Sequence, residues 1–126
     1  MNLFLSQDRY TVCQLPGDAS IPTGFPTRAI FLSITRTNEE LSIVCLESSA
    51  PAGVKQEPGW KMFKVEGPLD FGLTGVLAAI ARPLADASVS IFSIATFNTD
   101  YVLVKDAQVA EAVKALRAAG HTVRID

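Results

Sequence analysis

A chain of 126 residues, 48% of them apolar, is long enough for one packed domain or two small halves and too apolar to stay disordered. Eleven basic against thirteen acidic residues leave a net charge of −2, which argues against nucleic acid as a partner because phosphate binding needs a concentrated basic face. No apolar run is long enough to span a bilayer, and the opening Met1-Asn2-Leu3-Phe4-Leu5 is too short for a signal peptide, so no membrane partner and a cytoplasmic location are expected.

In chain order, Arg9–Leu15 reads as the first strand. Pro16–Pro26 holds three prolines and two glycines, which excludes a regular helix there. Ala29–Thr35 and Leu41–Leu46 read as strands around a turn at Arg36–Glu40. Ser48–Gly59, with Pro51, Gly53, Pro58 and Gly59, is a connection and the best candidate boundary, dividing the chain into 1–59 and 60–126. In the second half, Trp60–Glu66 reads as a strand that leads through a Gly/Pro turn into a helix over Leu73–Asp86. Leu73, Val76, Leu77, Ile80 and Leu84 give that helix one apolar stripe. Pro83 lies inside it and is expected to kink it, since it removes the bond to the Ala79 carbonyl. Ser88–Ala95 and Tyr101–Lys105 are rich in Val, Ile, Phe and Tyr and flank a turn at Thr96–Asp100. Asp106–Ala119 is a second helix with Asp106 as its N-cap, a buried stripe of Val109, Ala112, Val113 and Leu116, and Gly120 to end it. Thr122–Ile125 closes the order βαββαβ. That order is a split βαβ, so the expected fold class is α+β with a ferredoxin-like second half and a helix-poor first half.

Chemistry-bearing residues are few. Cys13 and Cys45 lie in apolar strand-like stretches and read as reduced core residues. One histidine and no Cys-x-x-Cys leave no material for a metal site. His121 follows the end of the second helix as a solvent-facing or capping residue, with no Ser or Cys nucleophile motif beside it. Asp70 and Asp100 are the pair an acid–base reading would use, and nothing in the sequence perturbs them. No catalytic residue, metal or cofactor is therefore expected, and the chain does not read as an enzyme.

An internal repeat links the halves. Leu32–Val44 aligns without gaps, sixty residues on, with Phe92–Val104, sharing Ser, Ile, Asn and Val and setting Glu40 against Asp100. The reading is a duplication of two pseudo-equivalent hairpins, each half being marginal by itself.

The residues Gly67-Pro68-Leu69-Asp70-Phe71-Gly72-Leu73-Thr74-Gly75 and Ala95-Thr96-Phe97-Asn98-Thr99-Asp100 carry a resemblance. The segment Glu66–Val104 resembles the ACT domain, in particular small bacterial proteins with paired ACT-like units, and is similar to the tandem-ACT amino-acid sensors. The resemblance covers Trp60–Asp126, with Met1–Gly59 as a degenerate copy lacking good helices. It implies a regulatory module that holds an amino acid between paired units, at the strand-to-helix loop and the following hairpin. Carried over, the ligand-binding residues are Asp70, Phe71, Gly72 and Leu73 on the loop, and Thr96, Phe97 and Asp100 on the turn. Tyr10-Thr11-Val12 stands in the place of the glycine loop in the first half, which argues against a second equivalent site.

Physical chemistry agrees with such a ligand. The N-terminus of the Leu73–Asp86 helix offers N–H groups to a carboxylate. Gly72 permits close approach, and Asp100 and Asp70 accept an ammonium. Each residue also has a plain role: Asp70 as helix cap, Gly72 and Gly75 as turn formers, Asn98 and Asp100 as ordinary turn residues. The alternative function is a ligand-free dimerisation or protein-interaction module. A homodimer is expected under both readings, and a regulated protein partner under the first, so ligand binding is what separates them.

Overall fold

The computed structural model describes residues 1–26, 30–70 and 72–125. They form eight strands and two α-helices: β1 (Asn2–Leu5), β2 (Tyr10–Pro16), β3 (Leu32–Arg36), β4 (Glu40–Leu46), β5 (Lys55–Val65), α1 (Val76–Asp86), β6 (Ile91–Ala95), β7 (Asp100–Lys105), α2 (Val109–Ala118) and β8 (Thr122–Ile125). The chain divides into a C-terminal unit, Met1–Asp8 with Trp60–Asp126, and an N-terminal unit, Arg9–Gly59.

In the C-terminal unit the strand order is β6-β7-β5-β1-β8. All neighbours are antiparallel except β1 and β8. The βαββαβ order of the second half is present, and β1 is interposed between its first and last strands. The sequence reading assigned Met1–Leu5 to no element and placed it in the first half. The structure differs, because Leu3 pairs with Val65 on one side and Val123 on the other. Period-two alternation turns Leu3, Leu5, Phe63, Val65, Val102, Val104 and Val123 toward one core, where Ile80 and Leu84 of α1 and Ala112, Val113 and Leu116 of α2 meet them. Each large side chain so buried contributes about 1.5–3 kcal/mol.

Several sequence boundaries shift. Helix α1 begins at Val76, three residues later than the apolar stripe implied, behind Gly75 at φ 74°. Leu73 thus lies in the loop, 55% exposed, and Leu77 is exposed as well. Asp70 caps no helix; its carboxylate accepts the Gly72 N–H at 2.8 Å in a local turn. Asp106 opens a single 3₁₀ turn, Asp106–Gln108, and the N-cap position of α2 falls on Gln108. The strand expected from Ser88 starts at Ile91, because Ser88, at φ 59°, ends α1: its N–H reaches the Ala85 carbonyl, and the Val89 N–H reaches that of Leu84. The start of the predicted strand at Ala29 lies outside the described residues. His121 is bound on both ring nitrogens. Its Nε2 lies 2.9 Å from the Ala79 carbonyl, the group Pro83 deprives of a helix donor, and its Nδ1 lies 3.0 Å from the Met1 amino group.

The N-terminal unit orders β3-β4-β2, all antiparallel. Its core is Cys13, Leu41, Ile43 and Cys45, with Leu15, Ala19, Phe25, Ile34, Ala50 and Val54 packed on it. Both cysteines are free thiols. Burial pushes both thiols up, Cys45 to about 11, with the nearby Cys13 adding to the effect. No α-helix forms here among the described residues, and Pro51 and Gly53 follow the 3₁₀ turn Glu47–Ser49.

The two hairpins do correspond, but one residue away from the alignment read in the sequence. Arg36 opposite Leu41 closes one hairpin and Ala95 opposite Asp100 closes the other. Thr37 therefore matches Thr96, and Glu40 matches Thr99 instead of Asp100. The turn bonds follow the same correspondence. The Thr37 N–H donates to the Glu40 carbonyl at 2.9 Å, and the Thr96 N–H to the Thr99 carbonyl at 2.9 Å. Each threonine hydroxyl also accepts the N–H three residues on. Side-chain identities misled because the turn is specified by threonine and backbone bonds, and the Ser-Ile match is one residue out of the structural correspondence.

Candidate functional site

The loop after β5 and the hairpin between β6 and β7 form one structure. The Gly67–Pro68 peptide bond is cis. The Leu69 N–H donates to the Asn98 carbonyl at 2.6 Å, tying loop to hairpin tip. Gly67 lies so close to that tip that a Cβ would come within 3.0 Å of both the Asn98 carbonyl oxygen and the Thr99 Cβ. Thr99, 3% exposed, anchors the tip from below, its hydroxyl donating to the Val65 carbonyl at 2.7 Å. A side chain at position 67 would crowd the contact between loop and turn.

Between them is a cavity of about 180 Å³ lined by Leu69, Asp70, Leu73, Val76 and the run 95–100. That is smaller than the roughly 300–1,000 Å³ of a drug-sized pocket and suits a molecule of amino-acid size. Asp70 stands on the loop wall and Asp100, half-buried, on the hairpin wall. Val76 opens α1, whose start has no side-chain cap. The cavity thus offers carboxylates to a cation, a helix start to an anion, and apolar surface from Leu69, Leu73 and Val76.

Of the residues expected at the site, Asp70, Leu73, Thr96, Phe97 and Asp100 line this cavity. Phe97 is 81% exposed at the rim. Gly72 is not on the wall; its N–H is taken by Asp70. Phe71 lies outside the described residues. Leu69, Val76, Ala95, Asn98 and Thr99 line the cavity and were not singled out. Four of the five fall within the two motifs, but their backbone and packing roles have no side-chain signature. Val76 was read as core stripe and does both jobs. Among the described residues, no three metal-ligating side chains converge and no helix is long and apolar enough to cross a membrane.

Comparison with known proteins bears on this region. A family model described as the ACT domain matches residues 55–118, and a separate model of an N-terminal domain matches 8–53. The human cytosolic arginine sensor for mTORC1, subunit 1, is 39% identical over 59 residues, which is 46% of this chain and 18% of the sensor. The chain thus matches less than a fifth of that relative's length. A crystal structure of an Agobacterium tumefaciens protein is 34% identical with a TM-score of 0.88, covering 99% of this chain and 92% of that one. The regulatory subunit of aspartate kinase from Thermus flavus has a TM-score of 0.57 at 12% identity, covering 93% and 95%, which is a likeness of fold. With the family model spanning half its length across the loop, α1 and the hairpin, the chain belongs to the ACT domain family.

Proposed function

We propose that the cavity between the 66–75 loop and the β6–β7 hairpin binds a free amino acid, and that the chain works as a regulatory sensing module. The observation that carries this reading is the pairing of two carboxylates, Asp70 and Asp100, with an uncapped helix start around one small cavity. A free amino acid carries the complementary groups at one end. Its ammonium goes to Asp100, with Asp70 assisting, and its carboxylate to the first N–H groups of α1. Its side chain meets Leu69, Leu73 and Phe97. Arginine is the first amino acid to try, since a sensor for it shares 39% identity over 59 residues.

The test is a thermal-shift screen of full-length protein against the twenty amino acids at millimolar concentration, with hits confirmed by calorimetry. Ligand at a hundred times its dissociation constant stabilises by about 2.7 kcal/mol, a shift of several degrees at this size. Asp100→Ala is expected to abolish the shift while folding normally. An undiminished response in Asp100→Ala overturns the site. Silence across the panel favours the ligand-free dimerisation module, which sedimentation of the same sample would then show as a dimer.

A further inference from the structure

The N-terminal unit has a loop and a hairpin in corresponding places, but there the Ala19 N–H donates to the Pro16 carbonyl, where the Leu69 N–H donates to that of Asn98 at the hairpin tip. In the C-terminal unit β5 runs beside β7 with Trp60 opposite Lys105, and in the N-terminal unit β2 runs beside β4 with Tyr10 opposite Leu46. The hairpin correspondence carries Leu46 onto Lys105, so Tyr10 holds the place of Trp60. Continuing along the strand, Gly17 holds the place of Gly67 and Ala19 that of Leu69. Tyr10-Thr11-Val12 is therefore strand, and the counterpart of the glycine loop begins at Gly17. The surroundings agree. A Cβ on Gly17 would lie 2.7 Å from the Asn38 carbonyl oxygen and one on Gly67 3.0 Å from that of Asn98, so each glycine lies against its hairpin tip, though the two contacts are one residue apart in the hairpin correspondence. Ala19 packs on its unit's core, as Leu69 does on the other's.

At the hairpin position of Ala95, which lines the open cavity, the N-terminal unit has Arg36. Its guanidinium donates to the Gly17 carbonyl and, at 2.7 Å, to the Ala19 carbonyl. Two carbonyl oxygens are acceptors only, and a guanidinium meets them with a rigid fork of donors that an ammonium lacks. The Arg36 side chain is exposed, so its place is open to solvent.

We propose that the Gly17 and Ala19 carbonyls form a second, latent site for a guanidinium-bearing compound, and that the chain's own Arg36 occupies it. Arg36 thereby stands where the other unit has Ala95, and its site does not depend on the amino-acid-binding reading above.

Full-length Arg36→Ala is compared with the parent protein by thermal shift and calorimetry, using methylguanidinium at millimolar concentration, with methylammonium and sodium chloride as controls of equal ionic strength. The variant is expected to melt several degrees lower. Methylguanidinium should restore at least half of the loss, methylammonium and sodium chloride none, and the parent should not respond. In Arg36→Ala/Asp100→Ala the restoration should persist, since the two sites are separate. Arg36→Ala melting with the parent, or restored equally by methylammonium, overturns the proposal. Amino acids that leave the parent silent while Arg36→Ala is restored overturn only the amino-acid reading. Should Arg36→Ala fail to fold, NMR of the parent decides: the Arg36 Nη protons should exchange with water more slowly than those of exposed Arg82, and equal rates overturn the proposal.

Discussion

Gly67 shows how little room the candidate site leaves for choice. The Leu69 N–H bond to the Asn98 carbonyl holds the loop against the hairpin only because nothing projects from position 67 toward Asn98 and Thr99. Gly67→Ala forces a carbon into contact with backbone and a buried threonine, neither of which is a flexible chain end. Overpacking of this kind costs about 1–3 kcal/mol, and urea unfolding should read a loss of that size. Relief by moving the loop would separate the walls that carry Asp70 and Asp100, so ligand binding should weaken beyond the stability loss. Gly67→Ala with parental stability and binding would mean the two walls are not tied. The motif in the sequence located this region through its glycines and acids. It did not reveal that Asp70 is turned into its own loop by the Gly72 N–H, because Asp before an apolar stripe reads equally as a helix cap. It did not reveal Leu69 or Thr99 either, whose contributions are a backbone donor and a buried hydroxyl.

At the scale of the element, α1 holds an interior proline without a visible break, and the reason lies outside the helix. Pro83 has no N–H for the Ala79 carbonyl, and His121 Nε2, 2.9 Å from that oxygen, takes its place. The periodicity of Val76–Leu84 made the helix legible, and the missing bond at Ala79 followed from the proline alone. The replacement donor comes from forty-two positions further along the chain and has no local signal. Pro83→Ala restores the helix's own donor and should stabilise by about 1–3 kcal/mol. His121→Ala should cost about 1 kcal/mol in the parent and less than half of that beside Pro83→Ala. A double-mutant cycle read by urea unfolding measures the difference. Equal costs in both backgrounds would show that His121 serves some other group.

At the scale of the molecule, the strand that completes the C-terminal sheet comes from the other end of the sequence. β1 lies between β5 and β8, and Leu3, fully buried, is flanked by Val65 and Val123. A stretch of four residues is too short for periodicity to identify, and parallel pairing with β8 joins segments separated by nearly the whole chain. The helices and the hairpin were legible because their signals are local. The sheet order was not. The span 60–126, read in sequence as a domain, therefore lacks the strand its first and last strands pair with. Expressed alone, that span should fail to give cooperative unfolding, and a version with residues 1–8 joined by a flexible linker after residue 126 should recover it. Within the full chain, Leu3→Ala removes core atoms that three strands share and should cost 2–5 kcal/mol in urea unfolding. The neighbouring Phe4, half-buried beneath the Arg124 guanidinium at 5.8 Å, is on the opposite face. Its truncation should cost less than that of Leu3. A Leu3→Ala loss below 1 kcal/mol, together with cooperative folding of 60–126 alone, would mean that β5 and β8 do not need β1 between them, and the sheet order argued here would fall.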